Sequence, residues 1–409
     1  MAIQAGGNEG RESLKVGDRH TVTIEKVAHG GHFIARHKGA VIFVRHAIPD
    51  EECVIELTSV GSSFNRADVV EVISASPDRT VAPCKYASAR GCGGCDFQHI
   101  TPARQRDLKR DVIIESFARI AKKQVDVQVV EVGPSLGWRT HFGAATTKSG
   151  DLGFYKARSH QVIPIEDCRI AVKGIKLPSL ASKKWKADQR VEFSLSNTQE
   201  ITVATGPARS EGALEVISGP DPAHYKVGDK TLEVSQRAFW QSHEKAPDVL
   251  TDVVMKYASP KKGEKVLDLY GGVGLFTATL IDAVGETGRV DLVEGSKSAT
   301  ADALRNFSKY PNIGVHTGDV AKILPRFPGA DVVVLDPPRE GAGRDVLKSA
   351  TKLSPRAIVY VACDPAALAR DAMYLEEEGY AMAELSAYDL FPMTHHIESV
   401  ALFTPAEVS

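Results

Sequence analysis

"VLDLYGGVGLFTATL", Val266 to Leu280, is the stretch on which the fold turns. Val266 to Tyr270 is an apolar run interrupted only by Asp268, the pattern of a strand buried on both faces. Gly271, Gly272 and Gly274 follow, and beyond them the chain enters an apolar helix. Glycines at such a junction let the backbone turn tightly and approach a ligand, and the helix start offers free N–H groups. A dinucleotide site uses the same kind of turn, so the loop alone does not choose its ligand. No Lys followed by Ser or Thr comes after the glycines, which argues against a nucleoside triphosphate.

Outward from this loop, "RVDLVE", "NIGVHTGD", "DVVVLD" and "AIVYVAC" read as further apolar strands separated by helical segments. That alternation predicts a parallel sheet with helices on both faces, whose ligands bind beyond the carboxyl ends of the strands. Asp268 lies in the strand end before the glycines. Glu294 ends the next strand, placed to accept hydrogen bonds from ribose hydroxyls, and Asp319 closes the third. A competing reading makes Glu294 and Asp319 only helix caps. Together these features resemble the class I S-adenosylmethionine-dependent methyltransferase fold. The resemblance implies an α/β, Rossmann-like domain over 241–409. In it Tyr270 and the glycine turn, with Asp268, Glu294 and Asp319, would hold the methionine part, the ribose and the adenine edge of S-adenosylmethionine.

"VVLDPPREG" puts Asp336, Pro337, Pro338 and Arg339 at the end of the fourth strand, where the prolines stiffen the loop. The next strand ends at Cys363, so thiol, Asp336 and glycine loop should meet at one edge of the sheet. A cysteine at a strand end is by default a small buried hydrophobe. Its place above the cleft, and the helix that begins near Pro365, point instead to a nucleophile, because a helix N-terminus lowers a thiol pKa. A methyltransferase needs such a group for C5 of uracil, which becomes nucleophilic once a thiolate adds at C6. "FPMTHHIESVALF" then supplies Glu398 as the base for the C5 proton, with His395 and His396 beside it; a capping or ion-pair role for Glu398 is the alternative.

"DPPREG", "ACDPAALARD" and "FPMTHHIESV", in this order, resemble the RNA uracil-C5 methyltransferase family. The likeness implies Cys363 as nucleophile, Glu398 as base and Asp336 beside cofactor and target uridine. "RAFWQSH" resembles the family's Phe-Phe-Gln segment, which would make Gln241 a cofactor-binding residue. The chain departs from the family pattern at Ala362 and Asp364, where Ser-Cys-Asn-Pro is usual, and at His243, where Asn is usual. An ionised Asp364 beside the thiol would oppose thiolate formation.

"CKYASARGCGGCDF" and the distant "IEDCRI" bring Cys84, Cys92, Cys95 and Cys168, a set that suits zinc or an iron–sulfur cluster by spacing. It resembles the 4Fe-4S pattern of the ribosomal RNA members of the family, which implies that cluster in a structural role. Cys53 reads as core.

Before this loop, residues 15–82 alternate in short segments broken by Gly pairs, the signature of a small antiparallel barrel. The barrel resembles a TRAM domain, an RNA-gripping module, with His32, Phe33, Arg36 and Arg45 as expected contacts. Residues 83–240 form a β-rich middle whose topology the sequence leaves undrawn, with an amphipathic helix over 102–120 that can pack on the catalytic part. Residues 1–14 read as a disordered start without the apolar core of a signal peptide. The composition, 43% hydrophobic and 25% charged, is that of a globular protein, and no apolar run spans a membrane. A cytoplasmic monomer is expected. The net charge of −2 places any RNA surface locally; "TPARQRDLKR" and "SKKWKADQR" are candidates, each also readable as a solvated face. The expected activity is methyl transfer to C5 of a uridine in 23S ribosomal RNA. A tRNA T-loop uridine, a non-catalytic RNA-binding or ribosome-assembly factor, and a cytosine-C5 methyltransferase are the alternatives, the last without a signal for the acid it needs.

Overall fold

The computed structural model describes residues 14–208 and 214–406, so the expected disordered start lies, but for Leu14, outside the described residues. The described chain forms two compact units: one holds the residues up to 82 with His99–Thr101, the other Pro83–Gln98 and everything from Pro102.

In the first unit the strands Arg19–Ala28, His32–His37, Ala40–Arg45, Glu52–Ser59 and Asn65–Ser74 close into a barrel. Lys38 and Gly39, at φ 48° and 80°, make the two-residue turn that lets His37 pair directly with Ala40. Alternate side chains point inward, among them Ile24, Ala35, Ile42, Val44, Cys53 and Ile55. Cys53 is therefore core, and burial pushes its thiol up to about 12. Phe33 is also fully buried, which removes it from the expected RNA contacts; its position in the strand puts it on the inward face. Arg45 is largely covered and faces Asp68 at 3.9 Å, while Arg36 stays open beside Glu25 at 3.3 Å.

The second unit is built on an eight-stranded sheet ordered Ile313–Thr317, Arg289–Glu294, Lys265–Leu269, Val332–Leu335, Ala357–Ala362, Glu398–Pro405, Tyr380–Asp389 and Val129–Glu131. The first five strands are parallel, and Glu398–Pro405 runs against its neighbours on both sides. Val129–Glu131, from the middle of the chain, completes the far edge. The order reverses between Lys265–Leu269 and Val332–Leu335, where a crevice opens at the strand ends.

The remaining middle region folds as a six-stranded sheet from Glu215–Ser218 through Ile201–Pro207, Gln189–Leu195, His141–Thr146 and Leu152–Tyr155 to Val162–Pro164. Trp185, from the second basic run, belongs to this sheet's core: its ring meets Phe193 edge-on and its indole N–H donates to Leu180 O at 3.0 Å. The other run lies on the helix Pro102–Ser116, which packs on the catalytic sheet and its helix Pro365–Glu377. There Lys109 is buried against Asp389 at 2.6 Å and Arg106 pairs with Glu131 at 2.8 Å. The helix changes to a π turn at Phe117–Ala121, ended by Lys122 at φ 58°. Among the described residues no helix is long and apolar enough to cross a membrane.

Candidate active site

Strand register brings the site together. Leu269 pairs with Val293 on one side and Leu335 on the other, so Tyr270, Glu294 and Asp336 end their strands in one row. Ala362 pairs with Ser399 in the antiparallel ladder, which sets Cys363, leaving one strand, next to Glu398, beginning the other. Above them lies a cleft of about 860 Å³. Gln241, Tyr270, Gly272, Glu294, Asp319, Asp336, Cys363 and Glu398 line it.

The other sequence candidates, Asp268, Gly271 and Gly274, are not among the residues that line the cleft. Asp268 accepts from Thr277 N at 3.0 Å and Thr277 Oγ1 at 2.7 Å, fixing the helix start behind the glycine turn. Its Oδ1 is buried without a partner, and burial pushes the carboxyl up to about 6. Gly274, at φ +99°, is needed for packing: a Cβ there would lie 2.2 Å from the Phe307 ring. Glu294 is preset to accept, taking Gly272 N–H at 3.1 Å and Ser296 N–H at 2.6 Å. Asp319 both caps a helix through Ala321 N at 3.0 Å and faces the cleft, so the cap and binding readings are compatible. Tyr270 is held at φ 59°, a strained conformation for a non-glycine residue.

At the reacting end, burial pushes the Cys363 thiol up to about 12, reinforced by the Glu398 and Asp336 carboxyls and opposed by Arg339. The start of the helix Pro365–Glu377, expected from the sequence to lower it, has donors engaged elsewhere. Asp364 caps that helix, its Oδ1 taking Ala366 N–H at 3.0 Å and Ala367 N–H at 2.9 Å, so the free donors are spent on a carboxylate. Glu398 is 4% exposed, and burial, then Asp336, drives its carboxyl well above the ordinary range. Asp336 is raised by burial and by Asp268.

Three comparisons bear on this geometry. Residues 324–405 match the family model described as tRNA (Uracil-5-)-methyltransferase, 13–70 the TRAM domain, and 241–313 the ubiE/COQ5 methyltransferase family. A protein named an uncharacterized RNA methyltransferase of Streptomyces avermitilis is 38% identical, over 96% of this chain and 99% of its own length. The chain belongs to the RNA uracil-C5 methyltransferase family. Another RNA methyltransferase, from Streptomyces coelicolor, is 37% identical over 96% of this chain and 94% of its own. The fold is similar to that of a Pyrococcus abyssi tRNA (uracil-54, C5)-methyltransferase in complex with S-adenosyl-L-homocysteine. The TM-score is 0.72 at 22% identity, covering 94% of this chain and 99% of that one.

In this methyltransferase the cleft fits S-adenosylmethionine, since the Glu294 carboxylate stands in its wall beside Gly272, where a Cβ would meet nothing within 4 Å. Several wall residues received no role from the sequence, whether inside a quoted motif, as Phe239 in "RAFWQSH", or outside any, as Trp138. Phe239 is 68% exposed beside Gln241, and Trp138 enters from the middle sheet region. Trp138 stacks at 5.5 Å on His243, whose imidazole burial pushes down to about 4. Asp371, within the quoted "ACDPAALARD", clamps the loop after Arg339. It accepts from Tyr360 OH at 2.7 Å, Ala342 N at 2.8 Å and Gly343 N at 3.2 Å. A signal was available here, because a buried aspartate in a helix interior demands donors.

Cys84, Cys92, Cys95 and Cys168 line one small cavity of about 20 Å³, and none is in a disulfide. Gly94 N–H donates to Cys92 Sγ at 3.3 Å. Burial pushes the Cys92 thiol up to about 11 and raises those of Cys95 and Cys168. Among the described residues no group of three or more His, Cys, Asp or Glu is gathered tightly enough for a single metal ion.

Proposed function

We propose that this enzyme methylates C5 of a uridine in 23S ribosomal RNA, with Cys363 as nucleophile and Glu398 as base. The observation that carries this reading is the pairing of Ala362 with Ser399, which places thiol and carboxyl side by side at the cleft. Bound against Gln241, Tyr270, Gly272, Glu294 and Asp319, S-adenosylmethionine supplies a methyl group on a positively charged sulfur. In the open cleft the thiol holds its proton at neutral pH, and Arg339 is the cation that favours its release. Cys363 Sγ, its proton and that of Glu398 having passed to water, then bonds to C6 of the extruded uracil, and the C5=C6 π electrons move toward O4, so that C5 gains nucleophilic character. After C5 has taken the methyl group, an ionised Glu398 oxygen removes the C5 proton and the Sγ–C6 bond breaks, restoring the double bond. Burial makes Glu398 a strong base once ionised. Exposed Phe239 offers a stacking face for a base.

A 4Fe-4S cluster held by Cys84, Cys92, Cys95 and Cys168 is part of the proposal, on the resemblance of their spacing and their shared cavity. The donor set is right in number and chemistry, and the backbone donates to two of the sulfurs. Such a cluster would hold the loop and supply no chemistry to the methyl transfer. This cysteine loop favours the ribosomal target. A T-loop uridine of tRNA is the second reading, favoured by the name of the matching family model and of the Pyrococcus neighbour.

The deciding experiment supplies labelled S-adenosylmethionine and total RNA lacking the modification to anaerobically purified wild type and Cys363→Ala, with nucleoside analysis. Label in 5-methyluridine of large ribosomal RNA, lost in the variant, is expected. Label in tRNA overturns the target, and label retained by Cys363→Ala overturns the nucleophile.

A further inference from the structure

Asp96 and His395 lie 299 residues apart and meet at the cleft wall, with His395 Nδ1 2.6 Å from Asp96 Oδ2. Asp96 follows Cys95 in the cysteine loop; His395 stands three residues before Glu398. The cysteine loop is fastened to the loop carrying His395 at further points. Phe97 N–H donates to Met393 O at 3.0 Å, and Gln105 bridges both, donating to Phe97 O at 3.0 Å and accepting from Met393 N at 2.8 Å. The His395 ring rests on His396 at 4.0 Å, and His396 in turn meets Phe391 edge-on. Its position is thus fixed from two sides.

A carboxylate only accepts, so the Asp96 contact places the proton of a neutral His395 on Nδ1 and leaves Nε2 with a lone pair. Among the described residues Nε2 has no hydrogen-bond partner, and the side chain is 25% exposed to the cleft that holds Cys363 and Glu398. Of its neighbours in the wall, His396 is packed and Arg339 only donates, while Asp336 and Glu398 are the carboxyls of the reacting end, so His395 Nε2 is the neutral ring acceptor on this side of the cleft. Uracil and cytosine differ at this point, since N3 of uracil carries a hydrogen and N3 of cytosine a lone pair. We propose that His395, its tautomer set by Asp96, reads the target base by accepting the uracil N3–H, so that cytosine meets lone pair against lone pair and is refused. His395 is the recognition residue; Asp96 is a positioning residue acting through it. The inference rests on the uracil-addition reading above.

The test uses covalent trapping. After thiolate addition and methyl transfer, a 5-fluoropyrimidine has no C5 proton to give up, fluorine cannot leave as a cation, and the Sγ–C6 bond persists. Two transcripts of the RNA that accepts label from the wild type are needed. One carries 5-fluorouridine at the target position and the other 5-fluorocytidine, and adducts are counted on denaturing gels. Wild type should trap only the first. Asp96→Asn can donate its amide to Nδ1, moving the ring hydrogen to Nε2, and should raise the fluorocytidine-to-fluorouridine ratio about 10-fold or more. His395→Gln, which offers both a donor and an acceptor, should raise the same ratio, and S-adenosylmethionine affinity should stay at the wild-type value in both variants. If the variants lose both adducts in equal proportion, Asp96 and His395 are structural and the inference falls alone. If wild type traps neither RNA while still binding S-adenosylmethionine, the uracil-addition reading falls and takes the inference with it.

Discussion

Asp336 and Glu398 are acids kept in a place that disfavours their charge, and this has a pH signature. The folded-state pKa of Asp336 is raised by burial and then by Asp268. The unfolded chain releases that proton at lower pH, so the stability it contributes is fully present below the unfolded value and is lost as pH rises toward the raised one. Asp336→Asn keeps the shape and removes the titration. Its unfolding free energy should match that of wild type near pH 4 and exceed it progressively toward pH 8, by the order of 1 kcal/mol or more; a constant difference across that range would refute the account. Cys363, Glu398 and Asp336 could be named from sequence because each sits at a strand end in a stretch of definite pattern. Their electrostatics could not. The thiol was expected to gain from a helix N-terminus, and only the folded structure shows Asp364 occupying donors there.

Single helices and strands were legible, while their partners were not. The run "TPARQRDLKR" reads correctly as a helix, yet its cations suggested an open face. Lys109 proves to be buried, donating to Asp389 at 2.6 Å and to Phe391 O at 3.0 Å. It ties the helix to the strand that leads into the His395 loop. Burial lowers the pKa of this ammonium, and the pairing with Asp389 opposes that. Lys109→Ala leaves a buried carboxylate unpaired and should cost about 3–5 kcal/mol, whereas Lys109→Met with Asp389→Leu should cost markedly less. Urea unfolding of the two variants measures the difference, and equal losses would mean that packing rather than charge dominates. Likewise, Val129–Glu131 reads as part of the middle region because three residues carry no long-range signal; pairing with Ala387–Asp389 assigns it to the catalytic sheet.

At the scale of the molecule, the described residues that line the cleft belong to the second unit, and the barrel has its own internal knot. Fully buried Glu51 accepts from Ile48 N at 2.8 Å and Ser76 N at 3.1 Å and pairs with Arg79 through both carboxylate oxygens at 2.6 Å. Arg79→Ala should destabilise the barrel by about 3–5 kcal/mol. It should weaken RNA binding and leave the calorimetric affinity for S-adenosylmethionine at the wild-type value; a matching fall in cofactor affinity would show that the units are energetically coupled. The sequence by itself determined the methyltransferase core, the barrel, the family and the residues at the strand ends. Those properties are written in local periodicity, in glycine and proline placement and in short contiguous motifs. Only the tertiary structure decided that Cys363 lies beside Glu398, that the four thiols share one cavity, that Phe33 is core, and that Asp96 orients His395. The reason is physical: register between strands and contacts between residues hundreds of positions apart depend on how whole elements pack, and no local pattern carries that information.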